Sequence, residues 1–158
     1  MIINHLLRRR SEPGISITNL TAEVRQKLVA SGIHNGQALL FSRHTTTALA
    51  INEDEERLLE DIKVYLNRLA PEIAMPIAGG GSHRYLHNDL DQRPNIPADE
   101  PLNAHSHLMA ITLSQSEVIP IVDGELALGT YQSILLFDLD GPRDRTVLLQ
   151  LWGEAEAK

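Results

Sequence analysis

Four segments of strand-like pattern follow one another in the last third of the chain, with only short turns between them. They are Glu117–Val122, Glu125–Leu128, Gln132–Leu139 and Thr146–Trp152. Asp123-Gly124, which joins the first two, is the strongest short signal for a β-hairpin. Because no helical pattern alternates with these strands, a doubly wound parallel sheet is disfavoured. The pattern predicts an α+β fold with a mostly antiparallel sheet.

The first half of the chain adds two amphipathic helices. One is predicted over Ala22–Ser31 and ends at Gly32, a residue that tolerates positive φ. The other is predicted over Glu53–Leu69, where leucine and isoleucine recur at steps of three and four before Pro71. We expect these two main helices to cover one face of the sheet and neighbouring subunits to cover the other.

The remaining organisation indicates one domain over residues 1–158. Strands Ile2–Leu7 and Ile15–Leu20 flank Pro13-Gly14 and fit a hairpin. The stretch from Pro71 to Pro101 is rich in Pro, Gly, Asn and Asp, and a third helix is predicted after Asn103. Long loops inside compact domains are often functional, so this stretch is a place to expect a site.

The composition disfavours several classes of site and partner. The 158 residues include no cysteine, which excludes disulfides, thiolate-bound zinc, iron–sulfur clusters and cysteine nucleophiles. The formal net charge of -7 disfavours binding to nucleic acid. No apolar stretch approaches the roughly 18 residues needed to span a bilayer, and the charges of Arg8–Arg10 follow the apolar residues, the reverse of a signal peptide. We expect a cytoplasmic protein with no membrane partner.

Three of the seven histidines are candidate metal ligands. His44 stands where a predicted strand ends, and His87 lies in the long loop. On the predicted helix, His107 shares a face with Asn103, four residues earlier, whereas His105 points away. Three neutral imidazoles from separate segments can hold a divalent metal, with zinc favoured, and leave one position open. The alternative is that these rings make only structural hydrogen bonds.

Other polar groups accompany the histidines. Glu53 begins a run of acids whose charge the helix dipole alone explains, but it also lies near the His44 strand and is a candidate acid or base. Asn88 follows His87 and offers an oxygen to a ligand or to a metal-bound ring. Arg143 follows the tight turn Asp140–Pro142, where it can bind phosphate as a fork or remain solvated.

Several short motifs run in a fixed order along the chain. They are His44–Ala48, Ile51–Glu53, Tyr85–Asn88, Asn103 with His107, Ser116–Gly124, Gly129–Ile134 and Asp138–Arg143. Together they resemble the YjbQ family, described as secondary thiamine-phosphate synthases, and the likeness extends from about Ile15 to Gly153. Three positions depart from the family pattern: Tyr131 replaces tryptophan, Asp138 replaces the usual glutamate, and Ser114 replaces a frequent glycine.

The resemblance implies a YjbQ-like fold with a mixed sheet, a homotrimer, and a pocket near the subunit boundary lined by His44, His87 and His107. It implies a further set of site residues on the matching motifs. These are Glu53, Asn52, Asn88 and Gln132 as catalytic groups, and Thr45, Thr46 and Arg143 as substrate-binding groups.

The function that the resemblance implies is a transfer reaction. The enzyme would join a pyrimidine methyl diphosphate to a thiazole phosphate and release pyrophosphate. Two alternatives stay open: another metal-assisted reaction on a phosphorylated small molecule, or a trimeric protein that binds a metal or metabolite without turnover.

Overall fold

The computed structural model describes residues 1–155, which form ten strands and three α-helices. The helices are α1 (Thr21–Ser31), α2 (Glu56–Leu69) and α3 (Ala104–Thr112). The strands are β1 (Ile2–Arg10), β2 (Gly14–Asn19), β3 (Ile33–Ser42), β4 (Thr47–Asn52), β5 (Ala74–Pro76), β6 (Ser82–Arg84), β7 (Ser116–Val122), β8 (Glu125–Leu126), β9 (Ser133–Gly141) and β10 (Asp144–Ala155).

The strands form two main sheets and one small hairpin. A five-stranded sheet has the order β1-β10-β3-β7-β8, a three-stranded sheet has the order β2-β9-β4, and β5 pairs with β6. Every strand pair within residues 1–155 is antiparallel. The predicted α+β class with a mostly antiparallel sheet is therefore confirmed, and the parallel pairing that a mixed sheet would contain is not found in this range.

The first four strands alternate between the two sheets. β1 pairs with β10 in the larger sheet, whereas β2 pairs with β9 in the smaller one, so the predicted hairpin of the first two strands is wrong. β9 and β10, separated only by a tight turn, also lie in different sheets. Both short connections cross from one layer to the other, because each strand finds its partner far away in sequence.

Two apolar cores lie on opposite faces of the three-stranded sheet. The alternation along β9 separates them: Ile134 and Leu136 join the core between the sheets, while Leu135 and Phe137 join the outer core. Helix α1 packs into the inner core, and α2 and α3 cover the outer one. The expectation that both main helices share one face is corrected, because the apolar residues of α1 pack between the two sheets.

Helix α2 begins three residues later than predicted. Glu55 is its N-cap, and the side chain accepts hydrogen bonds from the backbone N–H groups of Arg57 and Leu58. These bonds hold the pKa of Glu55 below its ordinary value, since they stabilise the charged carboxylate. The residues before it, including Glu53, are therefore outside the helix.

The long loop is more ordered than its composition predicts. It contains the β5-β6 hairpin, whose turn uses positive φ at Gly79, Gly80 and Gly81. Two short 3₁₀ turns, Leu86–Asn88 and Leu90–Gln92, then carry the chain to α3. No helix within residues 1–155 is long and apolar enough to cross a membrane.

One face of the five-stranded sheet carries exposed apolar side chains. We call it the outer sheet face, and its large exposed residues are Ile2, Leu6, Phe41, Val118, Val122 and Trp152. The strand register places Leu6 and Phe41 on either side of Leu148, and Ile2 beside Trp152. No element within residues 1–155 covers this face.

Candidate functional site

His44 lies in the connection between β3 and β4 and is tied to the start of β10. Its Nε2 accepts the backbone N–H of Thr146 at 2.9 Å, which places the ring proton on Nδ1. Burial, followed by the nearby positive charge of Arg145, lowers the pKa of His44 below 6.5. The ring is therefore neutral at pH 7, and its Nε2 lone pair is already used.

A buried ion pair supports the same connection. Arg145 donates from Nε and Nη2 to the two carboxylate oxygens of Asp138, at 2.6 and 2.9 Å, and both side chains are almost fully buried. Arg145 also donates to Thr46 Oγ1 at 2.9 Å. Burial alone would raise the pKa of Asp138, but hydrogen bonds, chiefly from Arg145, outweigh it and lower the pKa.

The turn between β9 and β10 brings a second arginine to the site. Arg143 Nη2 lies 3.2 Å from Asp140 Oδ2, and the side chain of Arg143 remains 42% exposed. Asn103, just before α3, donates to the same carboxylate oxygen at 2.8 Å. Its own amide oxygen is buried and has no hydrogen-bond partner within residues 1–155.

Most of these groups, though not Asp138 or Thr146, line one cavity of about 360 Å³, which we call the polar cavity. Its lining includes three arginines and two carboxylates. The residues are Arg43, His44, Thr45, Thr46, Glu100, Pro101, Asn103, His107, Asp140, Arg143 and Arg145. The structure thus brings together five residues predicted for the site: His44, Thr45, Thr46, His107 and Arg143.

His107 also forms the wall of a second, more apolar cavity of about 440 Å³. We call this the apolar cavity; its lining is Met75, His83, Tyr85, Leu86, His87, Ala104, His107 and Leu108. The rings of His87 and His107 meet edge to face, with centroids 4.8 Å apart. Burial, and then the neighbouring His87, lower the pKa of His107, so this ring is also neutral at pH 7.

The predicted metal site is only partly assembled. His87 and His107 are in contact, and the buried Nε2 of His87 has no hydrogen-bond partner in the described chain. His44 lies on the other cavity with its Nε2 occupied by Thr146. No group of three or more His, Asp or Glu side chains within residues 1–155 is arranged to hold a metal ion. As arranged here, the three histidines do not fit a shared metal ion, so the predicted divalent metal stays a prediction.

Four other predicted residues lie outside both cavities. Asn88 accepts the backbone N–H of Ala104 at 3.1 Å and so fixes the His87 turn to α3. Asn52, Glu53 and Gln132 lie at the far end of the β4-β9 ladder, where Asn52 pairs with Ser133. Five residue steps of strand, about 17 Å, separate Asn52 from Thr47 at the His44 end. Within one chain, these three residues are not part of the same site.

Helix α3 separates two histidines as predicted. His107 lines the polar and apolar cavities, whereas His105 lines a different cavity beside Lys63 and Asn67 of α2. Residues two apart on a helix point about 200° apart, which accounts for the difference. His105 therefore lines neither the polar nor the apolar cavity.

Arg145 is the main site residue that the sequence analysis did not select. Side chains alternate along β10, and Arg145 falls on the same buried face as Val147, Leu149 and Leu151. A charged residue at an inward position of a strand needs a buried partner. The alternation along β10 could therefore have identified Arg145 as a buried charge. The inward position of Asp138 on β9 could have identified its partner in the same way.

Comparison with known proteins agrees with this architecture. A family model described as UPF0047 protein YjbQ-like matches residues 6–154. A UPF0047 protein of Methanothermobacter thermautotrophicus is 37% identical over 145 residues, covering 92% of this chain and 88% of that protein. A UPF0047 protein of Archaeoglobus fulgidus is 40% identical over 136 residues, covering 86% and 90%.

Solved structures share the fold over almost the whole chain. A YbjQ-like protein of unknown function from Sulfolobus solfataricus has a TM-score of 0.81 and 30% identity, covering 98% of this chain and 99% of that one. A hypothetical protein from Aeropyrum pernix has a TM-score of 0.79 and 35% identity, covering 96% and 99%. The chain therefore belongs to the YjbQ-like, UPF0047 family.

Proposed function

We propose that this protein is an enzyme that binds the phosphate groups of a small molecule in the polar cavity. The observation that supports the proposal is the convergence of Arg143, Arg43 and neutral imidazoles on one cavity of suitable size. Arg143 donates from Nε to the carbonyl oxygen of Asp140 at 3.1 Å and pairs through Nη2 with its carboxylate, but the side chain is partly exposed and its Nη1 is open to a ligand. Arg145, in contrast, is committed to Asp138 and Thr46.

The charges around the cavity favour an anion. Arg145 is neutralised by Asp138, Arg143 is paired with Asp140, and Glu100 is paired with Arg93 at 3.0 Å. Arg43 also lines the cavity and has no ion-pair partner within residues 1–155, which leaves one net positive charge. Asp140 is paired with Arg143, but the same carboxylate also receives a hydrogen bond from Asn103. A phosphate can therefore take over the exposed face of Arg143 while Asn103 continues to satisfy Asp140.

The reaction that we propose is the formation of thiamine phosphate. The thiazole nitrogen attacks the methylene carbon of the pyrimidine methyl diphosphate, the carbon–oxygen bond breaks, and the electron pair leaves with pyrophosphate. Charge on the leaving group rises during this step, so a cation that contacts it stabilises the transition state. In this proposal Arg143 contacts the pyrophosphate, and Thr45 lies at the same cavity.

We also propose that the protein assembles as a homotrimer. The outer sheet face exposes large apolar side chains, with Phe41 44% and Trp152 53% exposed. Contiguous apolar surface of this kind marks an interface. Asn52, Glu53 and Gln132 lie at the end of the three-stranded sheet, so in this proposal they contribute to a site only where a neighbouring subunit meets that end.

The divalent metal, for which zinc is the favoured ion, is a separate prediction. Neutral imidazoles are required for metal binding, and His107 meets that requirement, as its lowered pKa shows. Metal analysis of the protein as purified, before any chelator, tests it directly. His107→Ala should remove the metal and His105→Ala should not; equal metal content in wild type and His107→Ala would contradict the assignment.

A cytoplasmic location is likewise a prediction, which cell fractionation checks.

The enzymatic proposal is tested with both thiamine precursors and the purified protein. Arg143→Met should weaken the binding of inorganic pyrophosphate, measured by calorimetry, by about tenfold or more, since a hydrogen bond between charged groups contributes about 1.5–3 kcal/mol. The matched control is Arg68→Met on the exposed surface of α2, which should change nothing. Wild type should form thiamine phosphate, and His107→Ala should not.

Three other outcomes would redirect the assignment. Tight binding of both precursors without product would support a binding protein. Turnover of a different phosphorylated compound, with the same loss in Arg143→Met, would retain the cavity but change the reaction. Equal pyrophosphate affinity in wild type and Arg143→Met would contradict the phosphate site itself.

A further inference from the structure

We propose that the end of the β1-β10 ladder is a second anion site, which binds a small tetrahedral dianion of the phosphate type between the side chains of Arg8 and Arg10. This site is separate from the phosphate position in the polar cavity, and the proposal does not depend on the proposed function. It gives a role to the three consecutive arginines of β1, which the proposed reaction does not use.

A cavity of about 340 Å³ lies over this end of the ladder, and we call it the arginine groove. The register pairs Arg8 with Thr146 and Arg10 with Asp144. Because side chains alternate along a strand, the side chains of these four residues belong to the outer sheet face. The full lining of the groove is Arg8, Arg9, Arg10, Asp144, Arg145 and Thr146.

Arg9 and Arg145 lie on the opposite face of the two strands and are used for structure. Arg9 donates from Nη1 to the carbonyl oxygen of Arg8 at 2.8 Å and forms an ion pair with Glu23. Arg145 is neutralised by Asp138. These two arginines therefore add no free positive charge to the groove.

Arg8 and Arg10 are available to a ligand. Arg8 is exposed, and its guanidinium forms no ion pair or hydrogen bond within residues 1–155. Arg10 lies 3.3 Å from Asp144, and 63% and 87% of the two side chains are exposed. An ion pair this exposed is weak, because water screens it. Two arginines against one carboxylate leave the groove with one net positive charge, which attracts an anion.

The spacing of the two arginines favours a tetrahedral dianion. Alternate residues of a strand are about 7 Å apart, so the long side chains of Arg8 and Arg10 can approach one small ion from two sides. One arginine fork fills both oxygens of a carboxylate, whereas phosphate offers further oxygens and a second charge to a second arginine. A long polyanion such as nucleic acid would also meet the protein's net charge of -7.

The arginine groove adjoins the polar cavity but does not share its proposed phosphate contact. Arg145 lines both, and the backbone N–H of Thr146 donates to His44, which lines the polar cavity. Arg143 lines the polar cavity and not the groove. The two anion positions can therefore be separated by substitution.

Calorimetry with inorganic phosphate at constant ionic strength tests the proposal in Arg143→Met, which removes the phosphate contact proposed for the polar cavity. Phosphate should still bind to this variant. Adding Arg8→Met and Arg10→Met should weaken the binding by about tenfold or more. The charge-matched control adds Arg57→Met and Arg68→Met instead, because both of these side chains are exposed on α2, and it should leave the affinity unchanged.

A variant that gains affinity separates a lost contact from a lost fold. Asp144→Asn removes the carboxylate that competes for Arg10, so phosphate should bind about two to five times more tightly. Acetate, a flat monoanion, should bind more weakly than phosphate to every variant that keeps Arg8 and Arg10. Glycerol phosphate distinguishes the source of the dianion: tighter binding than inorganic phosphate assigns the groove to a phosphorylated molecule, and weaker binding assigns it to the free ion.

Three results would overturn the proposal. The first is loss of all phosphate binding in Arg143→Met, which would place the ion in the polar cavity. The second is an unchanged phosphate affinity after Arg8→Met and Arg10→Met, and the third is equal affinity for acetate and phosphate. None of these results affects the proposed function, which depends on the pyrophosphate affinities of wild type and Arg143→Met.

Discussion

Arg145 shows how a single inward-facing residue organises the polar cavity. It holds Asp138 with two hydrogen bonds and reaches Thr46 with a third. The guanidinium therefore joins β9, β10 and the His44 connection, and its own donors are used for structure. Arg143, two residues earlier, contacts Asp140 but remains partly exposed, so the two arginines have different roles.

The Asp138–Arg145 pair predicts that the folded protein loses stability at acidic pH. Because the pKa of Asp138 is lower in the folded protein than its ordinary value of 3.8, its contribution to stability is present above that value and lost as the pH falls through the folded pKa. Asp138→Asn should lower the free energy of unfolding by about 3 kcal/mol at neutral pH, since it leaves Arg145 buried without a countercharge. Urea denaturation measures this loss.

The difference between wild type and Asp138→Asn should shrink below about pH 4, because the wild type then loses the same interaction. Asp144→Asn is the control, since its pair with Arg10 is largely exposed. A constant difference between the two proteins from neutral to acidic pH would contradict the interpretation.

At the scale of elements, the pairing of β3 with β10 depends on two facing glycines. Gly36 lies opposite Gly153, and a Cβ on Gly153 would lie 2.2 Å from the backbone oxygen of Asn35. A backbone oxygen cannot move aside as a side chain can. This close approach occurs next to the irregularity at Glu154, where the strand register shifts.

Gly153→Ala should therefore destabilise the protein by at least about 1–3 kcal/mol, the usual cost of overpacking. Gly129→Ala is the matched control, because its Cβ would meet only the side chain of Gln132 at 3.4 Å. Thermal unfolding should show a clear loss for the first variant and little change for the second. Equal melting temperatures for the two variants would show that the strands separate to make room.

At the scale of the whole molecule, the outer sheet face predicts assembly. Trp152→Glu combined with Phe41→Glu should convert the proposed trimer to a monomer, because two charges would be buried at the proposed interface without partners. Light scattering at micromolar concentration measures the mass. Tyr65→Glu on α2, where the side chain is 62% exposed, is the control and should leave the mass unchanged. A monomeric wild type would refute the trimer without affecting the fold.

The elements of the fold could be predicted from local pattern, but their arrangement could not. The apolar spacing in α2 and the turns at Gly32 and Asp123-Gly124 are local signals, and each appears near its predicted position. Alternation along a strand specifies which side chains point inward, but it does not specify which sheet the strand joins. For that reason the hairpin of β1 with β2 was wrong, although both strands were correctly located.

The candidate site likewise has a part that could be predicted from the sequence and a part that could not. The sequence by itself determined which residues were candidates for the site, since His44, His107 and Arg143 stand at a strand end, in the first turn of a helix and beside a turn, where side chains leave the core. Only the tertiary structure decided which of them meet. His44 follows β3 and Arg143 precedes β10, and these two strands, far apart in sequence, pair so that both residues line one cavity, while Asn52 and Gln132 lie at the far end of the β4-β9 ladder. Side-chain convergence depends on these long-range pairings, and no local pattern encodes the distance between two ends of a sheet.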